Sequence, residues 1–196
     1  MQRIAIFASG RGSNAASILE YFKSHPVIQV VVICSNNPTA GVKEHAAHYG
    51  IPFVHFSPED RKNVEPMLEV LKRYSVDLIV LAGYMKLIPS GLTQNFDARI
   101  LNIHPALLPK FGGKGMYGMN VHKAVVKAGE QESGISIHLV NEHYDEGDVL
   151  FQAFYSLKEG ETPDSLAAEV LKLEHYHYPR QIEEYVFDQL EPGVSN

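Results

Sequence analysis

The sequence predicts an α/β fold, built as a Rossmann-like, mostly parallel sheet with helices on both faces. Short apolar runs alternate with segments of helical periodicity through the first half of the chain. Two of these runs, at 29–35 and 76–82, are hydrophobic at nearly every position, as expected for strands covered on both faces. A glycine-rich loop also joins the first run to the first helix, which is typical of doubly wound sheets.

The individual elements follow from this periodicity. In the first half, the predicted strands are 3–8, 29–35, 51–56 and 76–82, and the helices between them are 15–22, 40–49 and 63–74. In the second half, strands are expected at 99–103, 134–140 and 148–155, and helices at 121–128 and 165–190. Pro179 is expected to break the last helix, because proline lacks the amide hydrogen that a helix interior needs.

Composition favours one globular domain over residues 1–196. Hydrophobic residues make up 45% and charged residues 20% of the chain, which are ordinary globular proportions. The formal net charge of -6 argues against a nucleic-acid partner, since a phosphate-binding face needs clustered Lys and Arg. The apolar run near the N-terminus, about five residues long, is too short for a membrane span or a signal peptide. With a single cysteine, Cys34, expected to be a buried thiol, we predict a cytoplasmic protein.

The first candidate site is the loop at 10–15. Its sequence, GRGSNA, follows the loose G-x-G-x-x-A pattern that lets backbone approach a phosphate at a helix N-terminus. A dinucleotide site would place an acid at the end of the second strand, and that strand ends in CSNN instead. Ser13 and Asn14 add side-chain donors that suit a terminal phosphate. We therefore expect a phosphorylated small molecule; a tight turn capped by Ser13 or Asn14 is the alternative.

The second candidate site lies in the segment LNIHP. Asn102 and His104 are two positions apart, so they share one face of a strand. The carboxyl ends of parallel strands form the ligand crevice of open α/β sheets, and the pair falls at such an end. Histidine handles protons near neutral pH, and a neighbouring carboxylate can orient it and raise its pKa. A purely structural histidine is the alternative.

A carboxylate partner for His104 is expected in the segment EHYDEGD, between two predicted strands. Asp145 is the candidate, but spacing alone leaves three other acids open: Glu142, Glu146 and Asp148. Polar residues of such a loop can converge on a site that rigid strands support.

Three blocks taken together resemble the glycinamide ribonucleotide transformylases. They are GRGSN at 10–14, NIHPALLP at 102–109 and YDEG at 144–147, and they occur in this order along nearly the whole chain. The second block is quite specific to folate-dependent formyltransferases. The resemblance implies a formyltransferase fold, with a phosphate-binding half of about 1–100 and a catalytic and folate half of about 101–196.

The resemblance implies direct transfer of a formyl group from 10-formyltetrahydrofolate, as co-substrate, to the amine of glycinamide ribonucleotide in purine biosynthesis. No covalent enzyme intermediate and no metal are then needed. By the family pattern, Asn102 donates a hydrogen bond to the formyl oxygen and protonated His104 stabilises the oxyanion. Asp145 sustains the charge of His104 and helps a water relay protons.

The resemblance also implies where the substrates bind. Gly12, Ser13 and Asn14 would hold the ribonucleotide phosphate. Glu174 would hold the glycinamide end, with an exposed carboxylate on the last helix as the alternative. Four successive residues would line the pterin pocket, with ordinary loop packing as the alternative: Met85, Lys86, Leu87 and Ile88. Residues 111–118 are longer and richer in glycine than in the bacterial enzymes, and a substrate lid with Lys114 as an anion contact is one interpretation.

Other functions stay open on sequence alone. Another formyl-folate transferase or a hydrolase would share the Asn–His–Asp chemistry, but each is expected to carry an additional RNA-binding or regulatory domain that this sequence does not suggest. A non-catalytic nucleotide-binding module would leave the convergence of three blocks unexplained. His45 and His48 have a spacing that suits a metal, but no second pair of ligands accompanies them, so we expect none.

Overall fold

The fold centres on a sheet of seven strands in the order β3-β2-β1-β4-β5-β6-β7. The computed structural model describes residues 1–190, so residues 191–196 of the predicted domain lie outside the described part. The strands are β1 (Gln2–Phe7), β2 (Ile28–Ser35), β3 (Phe53–His55), β4 (Leu78–Leu81), β5 (Ile100–His104), β6 (Glu132–Leu139) and β7 (Val149–Ser156). The helices are α1 (Ser13–Phe22), α2 (Val42–His48), α3 (Pro58–Lys62), α4 (Glu65–Arg73), α5 (Ser90–Asn95), α6 (Met119–Ala128) and α7 (Pro163–Leu190).

The predicted mostly parallel α/β fold is confirmed. Strands β1 to β5 pair in parallel, whereas β6 and β7 are antiparallel to their neighbours. In β1, Ile4 and Ile6 belong to one hydrophobic cluster and Ala5 and Phe7 to another, and all four are fully buried. Burying an Ile or Phe side chain contributes about 1.5 to 3 kcal/mol, which is why helices must cover both faces.

The strand order creates a crevice beside β1 and β4. From β1 the chain winds outward through β2 to β3, and then returns to β4 on the other side of β1. The loops that follow β1 and β4 therefore diverge, which leaves a ligand crevice at the carboxyl ends of the strands. The glycine loop after β1, the segment 85–88 after β4 and the end of β5 all lie at this edge.

Some elements differ from the prediction. The short helices α3 and α5 are not predicted, because five or six residues are too few for periodicity to reveal. A capping box between Ser57 and Asp60 begins α3. Strand β5 extends to His104, so this histidine ends the strand instead of beginning the loop. In residues 1–190, no helix combines the length and the apolar character that crossing a bilayer requires.

The predicted break at Pro179 is wrong, because α7 continues to Leu190. Pro179 has no amide hydrogen to give to the carbonyl of His175, four residues earlier. That carbonyl instead accepts a hydrogen bond of 2.9 Å from Ser17 Oγ in α1. Buried side chains before and after the proline, including Val170 and Ile182, pack in the same hydrophobic cluster. A replacement donor and tertiary packing therefore keep the helix continuous.

Tyr178 connects α7 to the centre of the sheet. Its side chain is fully buried, and its hydroxyl lies 3.0 Å from the carbonyl oxygen of Leu81 in β4 and 3.1 Å from that of Leu101 in β5. A hydroxyl has one hydrogen to donate, so the two carbonyl groups share it. Burial raises the pKa of Tyr178 well above its usual value, which keeps the group a neutral donor.

We expect Ser17→Ala to lower the free energy of unfolding by about 1 to 3 kcal/mol, because the carbonyl of His175 loses its donor. In a Pro179→Ala background the same change should cost less, since alanine at that position restores an amide hydrogen. Denaturant unfolding of the native protein, the two single variants and the double variant measures this coupling. Equal costs in the two backgrounds would contradict the proposed compensation.

Candidate active site

The glycine loop, which joins β1 to α1, packs closely against α2. Gly12 has φ 80 and ψ 34, left-handed values that favour glycine. A Cβ atom at Gly12 would lie 2.6 Å from Cγ2 of Val42. Both the backbone conformation and the close approach to α2 therefore require glycine at this position.

Helix α1 begins directly after Gly12 with an open N-terminus. No side chain caps the helix, and its first turn contains no acidic residue. The first N–H groups of a helix have no partner within it, and the helix dipole adds partial positive charge there. Ser13 is exposed at this end. The arrangement suits a bound anion such as phosphate.

The side chain of Asn14 turns away from this helix end and into the protein. Its Nδ2 donates to Oε2 of Glu174 at 2.7 Å, and its Oδ1 is buried with no hydrogen-bond partner among residues 1–190. The expected side-chain contact between Asn14 and a phosphate is therefore not the conformation observed. What Asn14 offers at the helix end is its backbone N–H.

Glu174 is buried in α7, with 8% of its surface exposed. The alternative of an exposed carboxylate is therefore wrong. Burial raises the pKa of Glu174 to about 7, and the hydrogen bond from Asn14 opposes this shift only in part. The structure thus joins two predicted substrate-binding residues, and the carboxyl group changes charge near neutral pH.

Asn102 in β5 lies opposite His138 in β6. The Nδ2 atom of Asn102 is 3.0 Å from Nε2 of His138, and Nδ1 of His138 is 2.7 Å from the carbonyl oxygen of Leu139. A carbonyl only accepts, so Nδ1 carries the hydrogen and Nε2 of the neutral ring accepts from Asn102. This contact fixes the orientation of the amide and leaves its second N–H free to donate.

His104 ends β5 with 3% of its surface exposed. Its Nε2 lies 2.8 Å from the carbonyl oxygen of Phe111, and its Nδ1 lies 3.6 Å from Oδ2 of Asp145. Burial lowers the pKa of His104 and outweighs the opposing effects of Asp145 and the Phe111 carbonyl. The free protein therefore favours a neutral ring with its hydrogen on Nε2, whereas the family pattern implies a protonated one.

The Asp145 carboxylate connects the two histidines. Its Oδ1 lies 3.6 Å from Nε2 of His138, and its Oδ2 accepts a hydrogen bond of 2.9 Å from the N–H of Gly113. Burial acts to raise the pKa of Asp145, but a proton on His138 or His104 and the N–H of Gly113 act against it and outweigh it, so the pKa is lowered. The three other acids considered for this role are exposed: Glu142, Glu146 and Asp148.

A close backbone contact holds the loop that carries Asp145. A Cβ atom at Gly147 would lie only 1.8 Å from the carbonyl oxygen of Leu139, so glycine is required there. Asp145 itself has φ 57, a left-handed value that aspartate tolerates better than most residues. The turn therefore returns directly over the end of β6, which brings the carboxylate back to the histidines.

The segment after β4 divides into an exposed part and a buried part. Met85 is 49% and Leu87 43% exposed, and Lys86 is also exposed. Ile88 is only 3% exposed and belongs to the hydrophobic cluster under α4 and α5. The side chain of Ile88 therefore packs in the core, and only the backbone of this residue is left to contact a bound ligand. The exposed apolar side chains are available to a flat heterocycle.

Two buried histidines of this region are missing from the sequence-based prediction. His138 lies within a strand that the pattern does predict, but only the strand register places it opposite Asn102. His122 in α6 is 6% exposed, and its Nδ1 has no hydrogen-bond partner within the described residues. Burial lowers the pKa of His122, and a charge on His104 would lower it further. For His138, the sequence does contain a signal: the alternation in GISIH at 134–138 puts this histidine on one face with Ser136.

Loop 111–118 is held at its start and exposed in its middle. The carbonyl of Phe111 contacts His104, and the N–H of Gly113 contacts Asp145. Lys114 and Tyr117 are exposed, Tyr117 by 53%. The first residues of the loop thus contact the side chains of His104 and Asp145 directly.

For residues 1–190, no group of three or more His, Cys, Asp or Glu side chains is arranged to hold a metal ion. Cys34 is fully buried, and burial raises the pKa of its thiol, as expected of an inert cysteine. What the cluster at the strand ends offers is hydrogen-bond donors and a proton path. Asn102 has a free N–H, and a proton taken up by His104 would face the Asp145 carboxylate. Donors aimed at developing charge can lower a reaction barrier by several kcal/mol.

Comparison with known sequences identifies similar proteins over most of the chain. The formyl transferase family matches residues 2–182. A phosphoribosylglycinamide formyltransferase from Arabidopsis thaliana, named chloroplastic, is 45% identical over 90% of this chain. The phosphoribosylglycinamide formyltransferase of Bacillus subtilis is 35% identical, and the match covers 94% of each of the two chains. This chain spans 63% of the Arabidopsis protein and 60% of its relative from Vigna unguiculata, less than two thirds of each.

Solved structures show the same fold. A phosphoribosylglycinamide formyltransferase from Bacillus halodurans has a TM-score of 0.87 at 30% identity, over 100% of both chains. The corresponding protein from Brucella melitensis has a TM-score of 0.84 at 35% identity, over 94% of this chain and 95% of its own.

Replacing Glu174 by Gln should remove a pH dependence of stability. The folded-state pKa of about 7 exceeds the ordinary value of 4.5, so this carboxyl stabilises the folded state below pH 4.5 and the contribution is lost as the pH rises through 7. The full change is about 3 kcal/mol. Denaturant unfolding at about pH 5 and about pH 8 should show a larger loss of stability for the native protein than for Glu174→Gln. Parallel pH profiles would rule out the raised pKa.

Proposed function

The chain belongs to the formyl transferase family, and we propose that it transfers a formyl group from 10-formyltetrahydrofolate to the amine of glycinamide ribonucleotide in de novo purine biosynthesis. Relatives in plants and bacteria are named for this activity. The observation that carries the proposal is the cluster of Asn102, His138, His104 and Asp145, which lies at the same edge of the sheet as the open N-terminus of α1.

The reaction forms one C–N bond and breaks another. The substrate amine attacks the formyl carbon, and the electron pair of the C=O bond moves to oxygen, which gives a tetrahedral intermediate. The intermediate collapses once a proton has moved from the attacking nitrogen to the departing one. The protein must therefore stabilise a developing oxyanion and conduct one proton between two nitrogens.

Asn102 is assigned to the developing oxyanion. His138 accepts one N–H of the Asn102 amide, which orients the group and leaves the other N–H for the substrate oxygen. Because the amide is already oriented, it does not have to reorganise as charge develops. The contact between His138 and Leu139 holds the accepting ring in turn.

His104 is assigned as the group that becomes charged during the reaction. The neutral ring donates from Nε2 to the carbonyl of Phe111, and Nδ1 faces Asp145. Negative charge on the substrate oxygen favours proton uptake by this ring, and the new N–H would lie against a carboxylate. Donation from Nε2 to the substrate oxygen requires that oxygen to replace the Phe111 carbonyl as the acceptor.

Asp145 supplies the negative charge that makes this protonation favourable. Its lowered pKa keeps it ionised at neutral pH despite burial. Its oxygens can also accept hydrogen bonds from a water that carries the proton between the two nitrogens. We assign it to orienting His104 and to this relay.

The two ends of the ribonucleotide are assigned to the glycine loop and to α7. The phosphate would accept hydrogen bonds from the backbone of Gly12, Ser13 and Asn14 and from the Ser13 hydroxyl. The glycinamide end would lie toward Glu174, which is hydrogen-bonded to Asn14. A carboxyl with a pKa of about 7 can meet either a neutral or a positively charged amine.

The folate is assigned to the exposed segment after β4. The co-substrate supplies an activated formyl carbon attached to a flat, largely apolar heterocycle. The exposed side chains of Met85 and Leu87 fit such a partner, with Lys86 between them at the surface. Ile88 contributes indirectly, because its burial anchors the segment.

The remaining assignments concern the domain, the compartment and the partners of the chain. We propose that the chain acts as one domain in the cytoplasm, with small-molecule substrates as its partners and without a metal, nucleic acid or membrane. Its net charge of -6 and single cysteine support this setting. The plant relatives are named chloroplastic, so the compartment differs among relatives.

His104→Ala should lower kcat, because an oxyanion-stabilising group is removed. The expected loss of transition-state stabilisation is about 2 to 4 kcal/mol. Turnover is followed by the absorbance change that accompanies loss of the formyl group from folate. His48→Ala is the matched control, since His48 lies exposed on α2, away from the cluster. Equal turnover in the native protein and His104→Ala would contradict the proposed mechanism.

Ser13→Ala should raise KM for the ribonucleotide about tenfold, because a hydrogen bond to a charged phosphate is worth roughly 1.5 kcal/mol or more. The KM for formyl folate should not change. The control is Ser24→Ala, since Ser24 is exposed just beyond the opposite end of α1. If Ser13→Ala raised KM equally for a substrate without its phosphate, the assignment of this loop to phosphate would fail.

A further inference from the structure

Ser136 occupies a central position beneath the turn that follows His104. It is fully buried in β6 and lies opposite His104 in the strand register. Its hydroxyl donates to the carbonyl of Ala106 at 2.7 Å and accepts from the N–H of Leu108 at 2.9 Å. One hydroxyl therefore holds two backbone groups of the turn.

Gln152 completes the support from β7. It lies opposite Ser136 in the register, and its Nε2 donates to the Ser136 hydroxyl at 2.8 Å and to the carbonyl of Leu108 at 3.1 Å. One hydrogen on Nε2 thus meets the remaining acceptor site of the hydroxyl, and the other meets a third backbone group of the turn, the Leu108 carbonyl. Two side chains from successive strands form one connected network.

The side chains of Ala106 and Leu108 are buried, but the polar contacts of this part of the turn come mainly from this network. The pairing of β5 with β6 stops at His104, and in the described chain no backbone hydrogen bond joins residues 105–110 to a neighbouring strand. The ion pair between Lys110 and Glu130 is well exposed on the lysine side and contributes little. The network of Ser136 and Gln152 therefore supplies the polar contacts that hold residues 106–108 of the turn.

The turn ends at the group that contacts His104. Three residues after Leu108, the carbonyl of Phe111 returns to accept the hydrogen bond from Nε2 of His104 at 2.8 Å. The position of that carbonyl decides which ring nitrogen carries the hydrogen in the neutral state. A shift of about 1 Å at a catalytic group can lower a rate a hundredfold.

We propose that Ser136 and Gln152 are positioning residues for His104: they hold the turn 105–111 so that the Phe111 carbonyl fixes the ring's orientation and its Nε2–H tautomer. They act through the backbone and do not touch the substrates. The consequence for turnover rests on the proposed function of His104, whereas the consequence for the tautomer does not.

The test compares Ser136→Ala with Ser133→Ala. Ser133 lies on the same strand, is 1% exposed, and its hydroxyl has no hydrogen-bond partner among residues 1–190, so its removal is a matched control. Nitrogen NMR of labelled histidine reports the tautomer of His104, assigned with His104→Ala. We expect one Nε2–H form in the native protein and in Ser133→Ala, and a mixture of the two tautomers in Ser136→Ala.

Steady-state kinetics give a second readout. We expect Ser136→Ala to lower kcat about 10- to 100-fold with KM changed less than about threefold, because positioning and not substrate contact is lost. Gln152→Leu should do the same to a smaller degree, and the double variant should be less than additive, since both act through one network. Gln152 is only half-buried, so this variant also provides the test if Ser136→Ala does not fold.

The outcomes separate the two proposals. A native tautomer and native kcat in both Ser136→Ala and Gln152→Leu would overturn the positioning role. If His104→Ala retained turnover, the proposed mechanism would fail, and the tautomer measurement would still decide the positioning role without any turnover. A mixed tautomer in Ser133→Ala would also overturn the inference, because hydrogen bonding would then not be the cause.

Discussion

β6 runs antiparallel to β5, and its register sets His138 opposite Asn102 and Ser136 opposite His104. The Asn102 amide has a defined orientation because His138 accepts from it, and the turn after His104 has a defined course because Ser136 lies beneath it. The loop after β6 then brings Asp145 back over the strand ends. A slip of one residue would turn these side chains to the opposite face of the sheet, so the whole cluster depends on this pairing.

Burial gives the two carboxyl groups of the site opposite properties. Asp145 has several hydrogen-bonding and charged neighbours, and its pKa is lowered although it is largely buried. Glu174 has a single donor, Asn14, and burial raises its pKa to about 7. The number of donors around each group, and not its depth alone, decides the direction. The free protein therefore combines a permanent negative charge beside His104 with a carboxyl near α1 whose charge varies around neutral pH.

Local patterns were sufficient for the fold class and for the shared face of Asn102 and His104, because strand periodicity and apolar runs are properties of neighbouring residues. Asp145 could be selected among four acids only through resemblance to a family. The partner of Asn102 lies 36 positions away, and that of Asn14 lies 160 positions away, so neither contact is encoded locally. The continuity of α7 at Pro179 likewise depends on a serine 158 positions before the carbonyl that it bonds. Ile88 is apolar, as residues that line a pocket often are, and only the packing of the folded chain shows that its side chain belongs to the core.

The hydroxyl of Tyr178 reaches carbonyls that precede it by 97 residues in β4 and 77 residues in β5. During synthesis on the ribosome, both strands therefore emerge long before their shared donor exists. The carbonyl of Leu81, at the end of β4, and that of Leu101, near the start of β5, cannot reach their final hydrogen bonding until α7 has been made and has docked. The centre of the sheet, between β4 and β5, is thus among the last parts of the nascent chain to complete its native hydrogen bonding.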